Sequence, residues 1–208
     1  DVYKRQMPYF FKCIERKEKI MKTALVFLVT GFEEVEALTS VDILRRGGID
    51  VKTVSLEKEK TVKSKENIPI IADLSFKEVE NDEVDMLILP GGTLRIADYP
   101  ELNEKIKKAL SFNKQVGAIC AAPVVLGRLG LLKGKRATVY PGFEQELKGA
   151  TVTKEAVVID GNIITARGPG LATEFALTLL ERLAGKEIRN KIAKEFLVCL
   201  LYTSDAAD

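Results

Sequence analysis

Cys120 lies in Val116-Gly117-Ala118-Ile119-Cys120-Ala121-Ala122-Pro123, a stretch whose residue types and spacing could support thiol chemistry. Apolar, strand-like residues run up to the thiol, small residues flank it, and a proline three positions on marks where a helix can begin. A reactive side chain on a sharp strand-to-helix turn needs small neighbours, because bulky groups two residues away would clash in the tight backbone. Ala118 and Ala122 hold the places that glycines hold in the G-x-S-x-G nucleophile elbow. A thiol at a helix start also meets free N–H groups and the positive end of the helix dipole, which favour the thiolate. Two readings stay open on this octet: an elbow nucleophile, or a small core hydrophobe, the common fate of a free cysteine.

The elements that would position this thiol are legible as alternating apolar runs. Residues 23–29 form a continuous apolar run, as expected of a strand buried on both faces. Gly31 breaks it, and the spacing of Val35, Leu38, Val41, Ile43 and Leu44 predicts a helix over 33–46, ended by Gly47-Gly48. Residues 49–56 read as a second strand, completing a right-handed β-α-β unit. A charged hairpin with a return strand at 67–71, a buried strand at 84–89 and a helix at 101–112 follow. Next come the Cys120 strand and a helix to about 131. Short strands are expected at 137–140, 151–159 and 162–166, the last two joined by Asp160-Gly161, and helices at 171–184 and 186–197. Strands alternating with helices imply an α/β sandwich with a mostly parallel sheet. In such folds ligands sit beyond the carboxyl ends of the strands. That rim gathers residues 31–36, Pro90-Gly91-Gly92-Thr93, Cys120-Ala121-Ala122 and Arg167-Gly168-Pro169-Gly170. Pro90-Gly91-Gly92 fits neither G-x-G-x-x-G nor the P-loop pattern, which disfavours a nucleotide-binding module.

G-F-E-E-V-E at 31–36, V-D-I-L-R-R-G-G at 41–48, L-I-L-P-G-G at 87–92, A-I-C-A-A-P at 118–123 and R-G-P-G at 167–170 resemble the ThiJ/PfpI superfamily. They resemble in particular the branch of the Parkinsonism-associated protein deglycase and its bacterial relatives, in family order over 21–198. The resemblance implies a flavodoxin-like three-layer α/β/α sandwich with a nucleophile elbow, in which Cys120 is the nucleophile and Glu36 its carboxyl partner. It implies that backbone amides of Gly91, Gly92 and Ala121 hold an oxyanion, with Thr93, Tyr140 and Arg167 around the pocket. Arg167 would bind an anion or form a salt bridge near a dimer interface. Glu33 and Glu34 read as solvated acids of a first helical turn, and Asp42 with Arg46 as an i,i+4 pair.

The implied activity is glutathione-independent glyoxalase or protein deglycase chemistry on small 2-oxoaldehydes and glycated groups, with no metal or organic cofactor, in a homodimer. The alternative is a non-catalytic oxidative-stress sensor or redox-regulated chaperone that uses oxidation of Cys120. The chain has no histidine, which excludes a Cys-His-Glu protease and a class I glutaminase. Tyr140 takes the place of a histidine that lines the pocket in the deglycase branch. A phenol donates a hydrogen bond but is a poor base at neutral pH, so slow turnover is expected.

The two chain ends can be encoded by nucleotide strings that are reverse complements over almost their whole length. We therefore read 1–6 and 199–208 as translated adapter, 7–20 as leader, and 21–198 as one domain. Cys13 and Cys199 then fall away, leaving one thiol, which fits a reducing cytoplasm. With six basic and five acidic residues at the two ends set aside, 26 basic face 25 acidic residues. No basic run tracks a phosphate backbone, and no apolar run spans a bilayer, so neither nucleic acid nor membrane is an expected partner.

Overall fold

The computed structural model describes residues 21–198; the readings of 1–20 and 199–208 lie outside the described residues. In chain order the first half forms β1 (Thr23–Leu28), α1 (Glu34–Arg46), β2 (Asp50–Ser55), β3 (Thr61–Lys63), β4 (Pro69–Ile71), β5 (Leu74–Ser75), α2 (Phe76–Val79) and β6 (Met86–Leu89). The second half forms α3 (Pro100–Ser111), β7 (Gln115–Ile119), α4 (Pro123–Arg128), β8 (Arg136–Ala137), β9 (Thr151–Val152), β10 (Val157–Asp160), β11 (Ile163–Ala166), α5 (Ala172–Ala184) and α6 (Lys186–Glu195).

The central sheet runs in the order β10-β11-β7-β6-β1-β2-β5. All its pairs are parallel except the β10–β11 hairpin at one edge. Ala24 stands opposite Val51 and Met86, and Ile163 opposite Val116. Alternation along β1 sends Ala24, Val26 and Leu28 to one face and Leu25 and Phe27 to the other, and all five are buried. The first face packs against α1, α5 and α6 through Ala37, Val41, Leu44, Phe175, Leu179 and Ile192. The second packs against α3 and α4 through Leu102, Ile106, Val124 and Leu126. Helices on both faces of a mostly parallel sheet make the α/β sandwich expected from the alternation, in the flavodoxin-like three-layer form that the resemblance implied. No helix among the described residues is long and apolar enough to cross a membrane.

Three local expectations change. The strand expected over 137–140 is confined to Arg136–Ala137 and pairs with β9 outside the central sheet. Beyond it, the Thr138 amide donates to the Thr165 hydroxyl and the Tyr140 amide to the Cys120 carbonyl, so side-chain and loop bonds replace a ladder. The strand expected over 151–159 divides into β9 and β10, because it serves two different sheets. Helix α4 ends at Arg128, where Gly130 takes a φ of +71° and the Leu131 amide folds back onto the Leu126 carbonyl. The β3–β4 hairpin stands apart from the main sheet and is bonded to the loop after β1: Gly31 N–H donates to Lys63 and Lys65 N–H to the Phe32 carbonyl, both at 2.8 Å.

Candidate active site

Strand β7 delivers Cys120 to the carboxyl rim of the sheet, and the backbone turns there. Cys120 has φ +63°, a left-handed conformation that a residue with a Cβ rarely adopts. Two backbone bonds hold it: its amide donates to the Ala166 carbonyl and its carbonyl accepts from the Tyr140 amide, each at 2.9 Å. Ala118 and Ala122 are fully buried on either side, which explains why small residues stand there. A strained backbone held by its surroundings at a half-buried thiol is the nucleophile-elbow geometry.

Helix α1 supplies the partner. Glu36 sits in its first turn and is fully buried, and its Oε2 accepts a 2.7 Å hydrogen bond from the Gly91 amide. Its Oε1 is also buried, with no donor on it. The carboxyl and the Cys120 thiol are close enough to shift each other's titration. Gly91 lies between them so closely that a Cβ there would stand 2.7 Å from the Cys120 Cβ and 3.0 Å from Glu36 Oε2. Burial lifts the Glu36 carboxyl to about 7, and the Glu33 charge adds to this; the Gly91 amide, Cys120 and Lys65 pull the other way.

The thiol departs from expectation. Burial pushes Cys120 up to about 12, reinforced by the charge of Glu36 and the bond to it, while the Gly92 and Ala121 amides oppose the rise. Helix α4 has only six residues, and its dipole does not outweigh burial beside a carboxylate. The two acids cannot both be anions in this space, so between about pH 7 and 12 the pair keeps one proton. A proton on Glu36 Oε1 would give that oxygen a hydrogen bond to donate, with the sulfur as acceptor. The Gly92 and Ala121 amides then stabilise the thiolate.

Residues 22–182 match the model of the DJ-1/PfpI family. The chain belongs to that family. Drosophila melanogaster protein dj-1beta is 40% identical over 182 residues, spanning 85% of this chain and 97% of the relative. Glutathione-independent glyoxalase DJR-1.2 of Caenorhabditis elegans is 34% identical over 178 residues, spanning 83% and 95%. The crystal structure of Drosophila melanogaster DJ-1beta matches with a TM-score of 0.83 at 38% identity, covering 86% of this chain and 99% of that one.

In this DJ-1/PfpI chain the thiol opens into a cavity of about 280 Å³ whose lining includes Gly92, Thr93, Ala121 and Tyr140. Two expected residues are placed differently. The Gly91 amide is committed to Glu36 Oε2 and is not free to hold a substrate oxygen. Arg167 is not among the residues lining the thiol cavity; its Nη1 donates to the Lys154 carbonyl at 3.2 Å, and it lines a neighbouring depression. Glu33, read as a solvated acid, has a side chain only 14% exposed, lines the cavity and lies 3.8 Å from Lys65 Nζ. Glu34 Oε2 is likewise buried, with no partner among the described residues. Sequence reasoning missed Lys65, Leu94 and Phe143, which line the cavity together with Pro169 of the expected rim. For Lys65 no local signal existed: only the docking of the β3–β4 hairpin on Phe32 brings it to the rim.

Proposed function

We propose that the protein is a cofactor-independent cysteine enzyme that converts small 2-oxoaldehydes to 2-hydroxy acids, methylglyoxal to lactate being the simplest case. The observation that carries this reading is the buried Glu36 carboxyl beside Cys120, with one oxygen held by the Gly91 amide and the other without a donor. The likeness to a relative named a glutathione-independent glyoxalase supports it.

The Cys120 thiolate adds to the aldehyde carbon, and the new alkoxide takes the proton held by the pair, giving a hemithioacetal. The Glu36 carboxylate removes the hydrogen from that carbon, forming an enediolate, and returns it to the neighbouring carbon. The hydroxyl proton of the first carbon passes to the second oxygen, leaving a thioester. Water cleaves the thioester to the 2-hydroxy acid and restores the thiol, so one water is consumed and nothing is oxidised overall. With Gly91 committed to Glu36, the developing oxyanion falls to the Gly92 and Ala121 amides. Tyr140 donates a hydrogen bond at the cavity wall. A protein-bound adduct of the same aldehydes presents the same two carbons, which extends the reading to glycated groups. The unit in solution is a homodimer, for which the exposed Val35 and Leu38 on one face of α1 are candidate contacts.

Lactate formation from methylglyoxal tests this in the wild type, Cys120→Ser, Glu36→Gln and Tyr140→Phe. Loss of at least about 10³-fold is expected for Cys120→Ser and 10²-fold or more for Glu36→Gln, with a smaller effect for Tyr140→Phe. Wild-type activity in Cys120→Ser sinks the reading.

A second reading, a redox sensor or redox-regulated chaperone, is favoured by the same amides. Two equivalents of peroxide would convert the thiolate to a sulfinate whose oxygens meet the Gly92 and Ala121 N–H groups. An inert wild type whose Cys120 alone gains two oxygens under peroxide supports this reading over the first.

A further inference from the structure

Beside the thiol cavity lies a second, shallow depression of about 240 Å³, lined by Tyr140, Pro141, Arg167, Gly168, Pro169 and neighbouring backbone. Tyr140 and Pro169 line both spaces, so the two adjoin along that ridge. The ridge is fixed to the thiol by backbone. The Tyr140 amide donates to the Cys120 carbonyl, and the Cys120 amide donates to the carbonyl of Ala166, the residue before Arg167. A Cβ on Gly168 would meet the Tyr140 ring at 3.3 Å, so the ring lies against bare backbone there.

The charge in this second space is uneven. Arg167 is the sole charged residue of its lining, and no ion pair is found for it among the described residues. One nitrogen is engaged with the Lys154 carbonyl, a neutral acceptor. Glu155, next to that Lys154 carbonyl, is committed to Arg136 and Asp160 to Lys135, while the exposed Glu174 forms no ion pair with Arg167. In the thiol cavity, by contrast, the two charges are Glu33 and Lys65, which lie 3.8 Å apart and offset one another. A guanidinium offers several donors in a fixed fork suited to a carboxylate. Held on neutral surface one ridge from a nucleophile, it would select for charge at the far end of a bound molecule.

We propose that Arg167 determines specificity for a negatively charged group on the substrate, so that the enzyme prefers 2-oxoaldehydes carrying a carboxylate several bonds from the aldehyde over neutral ones of equal size. This rests on the 2-oxoaldehyde reading for its substrate class, but the anion subsite is testable without turnover.

Two pairs of probes separate them. Turnover compares 4-carboxyphenylglyoxal with neutral phenylglyoxal. Alkylation of Cys120, read by peptide mapping so that other cysteines do not interfere, compares 4-iodoacetamidobenzoate with neutral iodoacetanilide. The ratio of charged to neutral rate within one variant cancels any change in thiol reactivity or in loop structure. Arg167→Gln is expected to lower both ratios roughly fivefold, the size of a part-exposed ion pair. Arg167→Lys retains part of the preference, and added salt erodes the wild-type ratios. Removing the offsetting pair together, in Glu33→Gln/Lys65→Gln, leaves them in place. An alkylation ratio unchanged in Arg167→Gln overturns the proposal, as does a ratio that collapses in the Glu33→Gln/Lys65→Gln double variant instead. If neither glyoxal is turned over while alkylation keeps its Arg167-dependent preference, the enzymatic reading fails and the anion subsite stands.

Discussion

Glu36→Gln keeps the shape of the buried carboxyl but removes its charge. The amide oxygen can still accept from the Gly91 N–H, and the amide N–H₂ can face the sulfur. Burial is the largest force on the Cys120 thiol, followed by the charge of Glu36 and the bond to it. Removing the last two should bring the thiol titration down from about 12 by roughly one to three units. Thiolate absorbance near 240 nm against pH reads this directly, and an unmoved midpoint would mean that burial alone sets it. At this scale the tight turn at Cys120 was legible, because such a turn admits only small neighbours and Ala118, Ala121 and Ala122 surround it. Glu36 was reachable only through a resemblance, since 84 residues separate it from its partner. The commitment of Gly91 to that carboxyl, and the Glu33–Lys65 pair, could not be read locally: each is a contact between distant segments.

Among the elements, β7 and α5 meet closely where β7 carries Gly117. A Cβ there would stand 2.8 Å from Leu179 Cδ2 and 3.0 Å from Phe175 Cζ. Both partners are fully buried, so the helix has little room to yield. Gly117→Ala is therefore expected to cost about 1–3 kcal/mol, seen as a lower urea midpoint at unchanged slope. Because β7 ends at Ile119, immediately before Cys120, the same variant should slow Cys120 alkylation; a stability equal to wild type would show that the helix repacks freely. The long buried strands and amphipathic helices were legible because both faces of β1, or one face of α1, must be apolar to be covered. Short edge pieces were not. Residues 137–140 have strand-like composition, yet the Thr138 and Tyr140 amides find better partners in Thr165 and Cys120. Local propensity does not register such long-range competitors.

For the molecule as a whole, the titration of buried acids sets how stability depends on pH. Glu36 is raised from 4.5 to about 7 in the folded state. The folded protein thus binds this proton more tightly than the unfolded chain does. Stability from this group is fully present below pH 4.5 and is lost as pH rises through 7. The loss is about 3 kcal/mol. Asp73 and Asp85 act oppositely. Burial pushes them up, but hydrogen bonds to Thr53 and Thr23 and charges on Arg45 and Lys22 outweigh it, so both lie below the ordinary range. Their contribution is lost as pH falls through their folded values. Urea unfolding from pH 4.5 to 8 should therefore show wild-type stability declining, while Glu36→Gln declines less over the same window. Parallel curves would place the Glu36 proton elsewhere.

The order of apolar runs and glycine breaks was enough to specify an α/β sandwich, because burying a parallel sheet demands covering helices on both faces. The same residues marked a strained turn at Cys120, because that turn is permissive only to small side chains. Which acid shares the cysteine's proton, which amides reach the sulfur, and which cations stand on either side of it were decided in three dimensions. Those relations depend on distances between the ends of β1, β6, β7 and β11 and on a hairpin folded back onto Phe32. A pKa is set by the surroundings within a few ångströms, and sequence spacing carries no record of them.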